Sequence, residues 1–228
     1  VAKTALWIAE SQMMHETENI LHLNLEFLPL KSYTNIIEGN ALRIDWNDVV
    51  DKNELNYIMG NPPFIGQAMR SKEQAIDMQN VFAPSNIGGK LDYVAGWFKK
   101  AFDMMKNTNI ETAFVSSNSI CQGESVNLLW ELLLKNNIYI NFAYTTFKWT
   151  SEAKEKAAVM CVIVGFSFVN RSKKYLYYDE QYKEVEHING YLNPAPNIFI
   201  KNRSQSINKG LAKVVQGSPP ADDGKLLL

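Results

Sequence analysis

Only two cysteines and three histidines occur among the 228 residues. Two thiols are too few for a disulfide framework, and His15, His22 and His187 are widely separated, with no cysteine at ligand spacing. Neither a cross-linked scaffold nor a metal site is expected. Cys121 and Cys161 lie in apolar stretches and read as buried free thiols of a reducing compartment. No apolar run approaches the roughly 20 residues that span a bilayer, and no signal peptide opens the chain, so no membrane partner is expected. Internal repeats and low-complexity tracts are missing too. Basic excess is also lacking: 23 Lys and Arg against 24 Asp and Glu leave a net charge of −1. That balance excludes a uniformly basic nucleic-acid binder.

The hydrophobic fraction of 46% and charged fraction of 21% are those of a globular domain. Charge is divided along the chain. Residues 1–147 hold 11 Lys/Arg against 16 Asp/Glu, and residues 148–228 hold 12 against 8, so the last third is positive. A positive segment can follow a phosphate backbone, and it can equally be a solvated surface.

The segment that carries most information is Asn61-Pro62-Pro63-Phe64, directly after the apolar run Tyr57 to Gly60. A residue before proline is excluded from the α region and proline fixes its own φ, so this elbow is stiff. It reads as the end of a strand that presents an amide and an aromatic ring together. Asn-Pro-Pro is also an ordinary turn sequence, in which Phe64 would be a core anchor. Its position favours a site, because open α/β sheets bind ligands at the carboxyl ends of their strands.

The rest of the pattern alternates. A helix is predicted from Val1 to about Met14, a strand from Thr34 to Leu42, and the elbow strand over Asn56 to Gly60. A short helix is predicted over 71–80. Leu91, Val94, Ala95, Phe98, Phe102 and Met105 follow helical spacing. Thr112 to Ser116 reads as a buried strand. Val126, Leu129, Trp130 and Leu133 mark another helix, closing at Asn136-Asn137. Tyr139 to Tyr144 and Ala157 to Phe168 read as two strands joined by a hairpin. From Asn170 onward the pattern weakens. The fold class is α/β.

This order of elements resembles the class I methyltransferase fold, which uses S-adenosylmethionine. More narrowly, the chain is similar to the amino-methylating, adenine-specific DNA methyltransferases of single-chain restriction–modification enzymes, the MmeI-like group. The residues that carry the likeness run in order: Ile36 to Leu42 with Asn40 at its tip, Asn61 to Phe64, Val115 to Ile120 with Gly123 after it, Phe147 to Trp149, Glu152-Ala153, Ala157 to Val159, His187 to Leu192, and Asp223 to Leu227. The resemblance implies a partial doubly wound, Rossmann-like sheet with a C-terminal antiparallel hairpin and without its first two strands. It implies a catalytic portion over 1–169, and over 170–228 a linker leading into a target-recognition domain. The implied catalytic residues are Asn61, Pro62, Pro63 and Phe64. The implied cofactor contacts are Asn40, Ala41 and Asn61, and the base pocket is Phe64, Phe147 and Trp149. DNA would be met by Lys148, Lys154 and Lys156.

The implied partners are double-stranded DNA and further domains of one polypeptide, a nuclease among them, in the bacterial cytoplasm. The glycine-rich loop that receives the methionine end of the cofactor is absent, as is the acidic strand end that would hold the ribose. The chain is therefore expected to be a piece that binds cofactor poorly and is inactive alone. Two other readings stand beside this one. One is an amino methyltransferase acting on ribosomal RNA guanine or a protein glutamine; the other is a non-catalytic binding module in which the elbow is only a turn.

Overall fold

A computed structural model describes residues 2–22, 36–149, 159–201 and 203. Six strands form one open sheet in the order β1-β2-β4-β3-β5-β6. They are β1 (Tyr57–Gly60), β2 (Glu111–Ser117), β3 (Tyr139–Trp149), β4 (Val159–Ser167), β5 (Lys174–Tyr178) and β6 (Gln181–Val185). β1 and β2 are parallel, β4 is antiparallel to both its neighbours, β3 and β5 are parallel, and β6 closes antiparallel on β5. The strands β1, β2 and β3 therefore end on one rim of the sheet.

The helices are α1 (Ala2–Leu21), α2 (Lys72–Phe82), α3 (Ala95–Met105), α4 (Gly123–Ser125) and α5 (Glu131–Lys135), the last two joined by a π-helical stretch, Val126–Trp130. α2 starts on a reciprocal cap: Ser71 Oγ accepts the Gln74 N–H while the Gln74 side chain accepts the Ser71 N–H. α3 buries Ala95, Phe98, Ala101, Phe102 and Met105 on the face the sequence spacing marks out. α5 ends with Asn137 at φ 63 and the Ile138 N–H returning to the Leu133 carbonyl, the left-handed stop that asparagine tolerates.

The core lies between the sheet and α3 with the α4–α5 helix. Phe98 stacks on Phe166 at 5.3 Å and meets Phe114 and Trp130 edge-on at 5.2 and 5.7 Å. Trp130 Nε1 is buried and donates to the Ile120 carbonyl at 3.0 Å. Both cysteines are buried free thiols, and burial raises the pKa of each.

Several expectations are corrected. α1 runs to Leu21, about two turns beyond the expected end. Of the expected strand 34–42, residues 34 and 35 lie outside the described residues, and 36–42 form no strand. Residues 36–38 are irregular, and a turn follows in which Arg43 and Ile44 donate to the Asn40 carbonyl. Ile37, Ala41 and Ile44 line a groove of about 340 Å³ together with Ile58 and Met59 of β1. β1 is consequently an edge strand, with Tyr57 64% and Met59 81% exposed.

The expected hairpin of β3 and β4 is present, with β4 lying between β2 and β3. Its charged link, 150–158, lies outside the described residues. Beyond residue 169 the sheet continues, because β5 and β6 extend it through Val185. Residues 174–185 thus belong to the sheet and not to a linker.

Candidate active site

Three chain exits meet on the rim where β1, β2 and β3 end. The first is the elbow. Asn61 and Pro63 are exposed, Pro62 is buried and Phe64 is half-buried against the core. An open depression of about 380 Å³ lies in front of it, walled by Trp46, Gly60, Asn61, Pro62, Pro63, Trp97 and Phe114. Asn61 makes no side-chain hydrogen bond to any described residue, so its amide oxygen and NH2 are both available. Phe64 does not line this depression.

The loop after the elbow is held by α3's approach. The Tyr93 N–H donates to the Ile65 carbonyl at 2.9 Å, and Gln67 Nε2 donates to the Gly89 carbonyl at 2.9 Å. Arg70 spreads its guanidinium over the Gly88 and Gly89 carbonyls, each at 2.8 Å. Burial is the largest influence on Arg70 and lowers its pKa.

The second exit is the turn Ser117 to Cys121. Ser117 makes no side-chain cap bond to it; its Oγ lies 2.8 Å from Ser119 Oγ, and Ser119 reaches Asp92. The third is the end of β3. Phe147 and Trp149 lie on one side, with ring centroids 6.3 Å apart, as their spacing predicts. Phe147 pairs with Cys161, which pairs with Ser117, so these residues share one row across the sheet. Three strand spacings separate β3 from β1, about 14 Å, so both rings sit on the rim of the elbow but away from its depression. Lys148 is exposed on the same strand end; Lys154 and Lys156 lie outside the described residues.

Asn40 is committed elsewhere. Its Oδ1 accepts the Leu42 N–H at 2.9 Å, and its Nδ2 donates to Asp77 at 2.9 Å and to the Tyr93 hydroxyl at 3.4 Å. The Ala41 carbonyl accepts Trp46 Nε1 at 2.8 Å. Asp77 is only 3% exposed and also accepts Arg43 Nε at 2.6 Å and the Tyr93 hydroxyl at 3.1 Å. Burial pushes the Asp77 carboxyl up, but the bonds and charge of Arg43 with the donors of Tyr93 and Asn40 outweigh it and hold its pKa low. This network fixes the 40–44 turn to α2 and α3. It escaped the sequence reading because its members are 16 to 53 positions apart. Among the described residues no cluster of His, Cys, Asp and Glu could hold a metal ion, and no helix is long and apolar enough to cross a membrane.

Against known proteins, the model of the family described as MmeI, DNA-methyltransferase domain, matches residues 1–178. The chain belongs to the MmeI DNA-methyltransferase domain family. DNA methyltransferase A of Bacillus subtilis (strain 168) is 42% identical over 231 residues, covering 100% of this chain and 26% of that protein. The Type IIL restriction-modification enzyme MmeI, solved in complex with DNA, is 41% identical with a TM-score of 0.86, over 98% of this chain and 31% of MmeI. The MmeI-family chain thus spans about a quarter to a third of these two relatives. The α/β sheet with its elbow rim is the fold of the methyltransferase part of MmeI.

Proposed function

We propose that this chain carries the base-handling part of an adenine-specific DNA methyltransferase that uses S-adenosylmethionine within a restriction–modification enzyme, working in the bacterial cytoplasm. The observation that carries the proposal is the rigid elbow at a strand's carboxyl end, with the Asn61 amide free above an open depression. Membership of the MmeI family and the likeness to a DNA-bound relative support DNA as the substrate.

The residues present fit part of the cofactor. Trp46, Trp97, Phe114 and Pro62 give aromatic and apolar walls that suit a purine or a sulfonium. No glycine-rich turn follows a strand in this sequence to receive the methionine end. Of the three expected cofactor contacts, Asn61 faces the depression. Asn40 and Ala41 act through the shape of their turn, their amide and carbonyl being engaged. When bound, S-adenosylmethionine supplies an electrophilic methyl group.

The chain's own task is to present the acceptor. An adenine amino nitrogen is a weak nucleophile because its lone pair is delocalised into the ring. The Asn61 side-chain oxygen and the Pro62 carbonyl each accept one amine hydrogen, which lets the nitrogen pyramidalise and directs its lone pair at the methyl. An amide takes no proton at neutral pH, so Asn61 orients and stabilises the positive charge that develops, and the proton leaves to water. Phe64 stacks on the extruded base, worth about 1–3 kcal/mol, which offsets part of the few kcal/mol of extrusion. Phe147 or Trp149 closes the far side of the base, and Lys148, Lys154 and Lys156 meet phosphate. The sequence after the sheet leads toward a target-recognition domain.

The test is Asn61→Ala in the full-length gene product. Methyl transfer to DNA should fall at least about 10²-fold while DNA affinity stays within about twofold. Wild-type turnover, or activity on RNA and none on DNA, would remove this reading.

A further inference from the structure

We propose that Asp92 is a positioning residue that braces the elbow against the turn after β2. The inference rests on the reading of Asn61 just given. Asp92 lies in the short approach to α3, and its carboxylate is shared between two chain segments that are distant in sequence. Oδ1 accepts the Gln67 backbone N–H at 2.7 Å; Oδ2 accepts the Ser119 hydroxyl at 2.5 Å. Ser119 Oγ in turn lies 2.8 Å from Ser117 Oγ, the last residue of β2. The next residue, Tyr93, holds the Ile65 carbonyl through its N–H. One carboxylate therefore joins the exits of two parallel strands on the rim where Asn61 stands.

A carboxylate is required by the donor set. A backbone N–H and a hydroxyl both need an acceptor, and a carboxylate offers one oxygen to each. Asparagine keeps one acceptor and turns its NH2 toward the other donor. The bonds are charge-assisted, which shortens and stiffens them. Asp92 forms no ion pair within the described residues, and it lines none of the depressions around the elbow. Its charge is spent on geometry and not on substrate.

Geometry is what the elbow reaction needs, since a displacement of about 1 Å in a reacting group can cost about 10²-fold in rate. Pro62 and Pro63 stiffen the elbow from within; Asp92 fixes where the stiff piece points. The consequence is a coupling between Asp92 and Ser119 that independent stabilising contacts would not show.

The experiment is a double-mutant cycle in the full-length enzyme: Asp92→Asn, Ser119→Ala and both together. Single-turnover methyl transfer would be measured at saturating DNA and cofactor, at a temperature where every variant is folded. Extrusion would be followed by 2-aminopurine fluorescence at the target position. Asp92→Asn should lower the rate about 10- to 100-fold and Ser119→Ala about 3- to 10-fold, with the double variant no slower than Asp92→Asn. Cofactor and DNA affinities should stay within about threefold of wild type in all three. Multiplying rate losses in the double variant, or a wild-type rate in Asp92→Asn, would overturn the proposal. Ser119→Ala removes only a hydroxyl and keeps the test decisive if Asp92→Asn folds poorly: a wild-type rate in that variant overturns it as well. Asn61→Ala run alongside separates the two readings. Retained activity there removes the elbow mechanism itself, whereas an inactive Asn61→Ala beside an unaffected Asp92→Asn removes only the brace.

Discussion

An aspartate that ties distant segments together serves this protein twice, and the two cases differ in what they hold. Asp92 joins two loops of the rim, whereas Asp77 ties the Asn40 turn to the body through Arg43, Tyr93 and Asn40. The Asp77 case has a pH signature. Its folded-state pKa lies below the ordinary carboxylate value. The stabilisation it brings is therefore complete above the unfolded pKa of about 4 and is lost as pH falls through the lower folded value. Asp77→Asn should cost about 1–3 kcal/mol at pH 7, since it removes the charge while leaving the donors in place. Thermal melts of the two proteins from pH 7 down to pH 2.5 should converge as the acid limit is approached. A gap that is constant with pH would show that the charge on Asp77 does not stabilise this turn. Neither carboxylate could be picked from the sequence. Asp77 sits inside a helical run, and Asp92 looks like one more helix-start acid; their partners are set by the tertiary fold.

Among the elements, the parts legible in sequence are those whose signal is local. The spacing from Leu91 to Met105 gives α3 because a helix chooses its buried face within its own residues. The proline elbow is equally local, and it falls at the end of β1 as its stiffness requires. Pairing is a different matter. The run Ile36 to Leu42 has strand-like residues but no ladder neighbour, so it turns at Asn40 instead. β5 is the reverse case: Lys174 opens it in a buried position, which breaks the apolar alternation that would announce a strand. Its hairpin to β6 turns at Asp179, with φ 49, a conformation that aspartate tolerates.

Sheet packing also explains Gly165 in β4, which no turn requires. A Cβ there would lie 2.0 Å from Phe142 Cε1. Phe142 of β3 is the register partner of Gly165 and lays its ring across it. Gly165→Ala should destabilise the chain by about 1–3 kcal/mol through overpacking. Adding Phe142→Leu should recover a good part of that loss in urea titrations, a coupling that strand propensity alone does not produce. If Gly165→Ala leaves the midpoint unchanged, the ring does not cover this position.

At the scale of the whole molecule, the proposed function gives this chain one half of a division of labour. In the proposed reading the rim supplies an acceptor site: a rigid amide, aromatic walls, and loops cross-braced by Asp92 and Arg70. A donor site needs a cradle for the methionine end of S-adenosylmethionine, and no glycine-rich turn follows a strand among the described residues. The open edge of β1, with Tyr57 and Met59 exposed beside an apolar groove, is where a further parallel strand could join the sheet. A cofactor held on one side only keeps its apolar contacts and loses the charge-assisted ones that orient the sulfonium. Calorimetry should therefore find S-adenosylmethionine bound by these 228 residues at least about 100-fold more weakly than by the full-length gene product, a deficit of roughly 3 kcal/mol. Equal affinities would mean that Trp46, Trp97, Phe114 and Asn61 bind the cofactor without the glycine turn. The donor half of the reaction would then have to be placed on this rim as well.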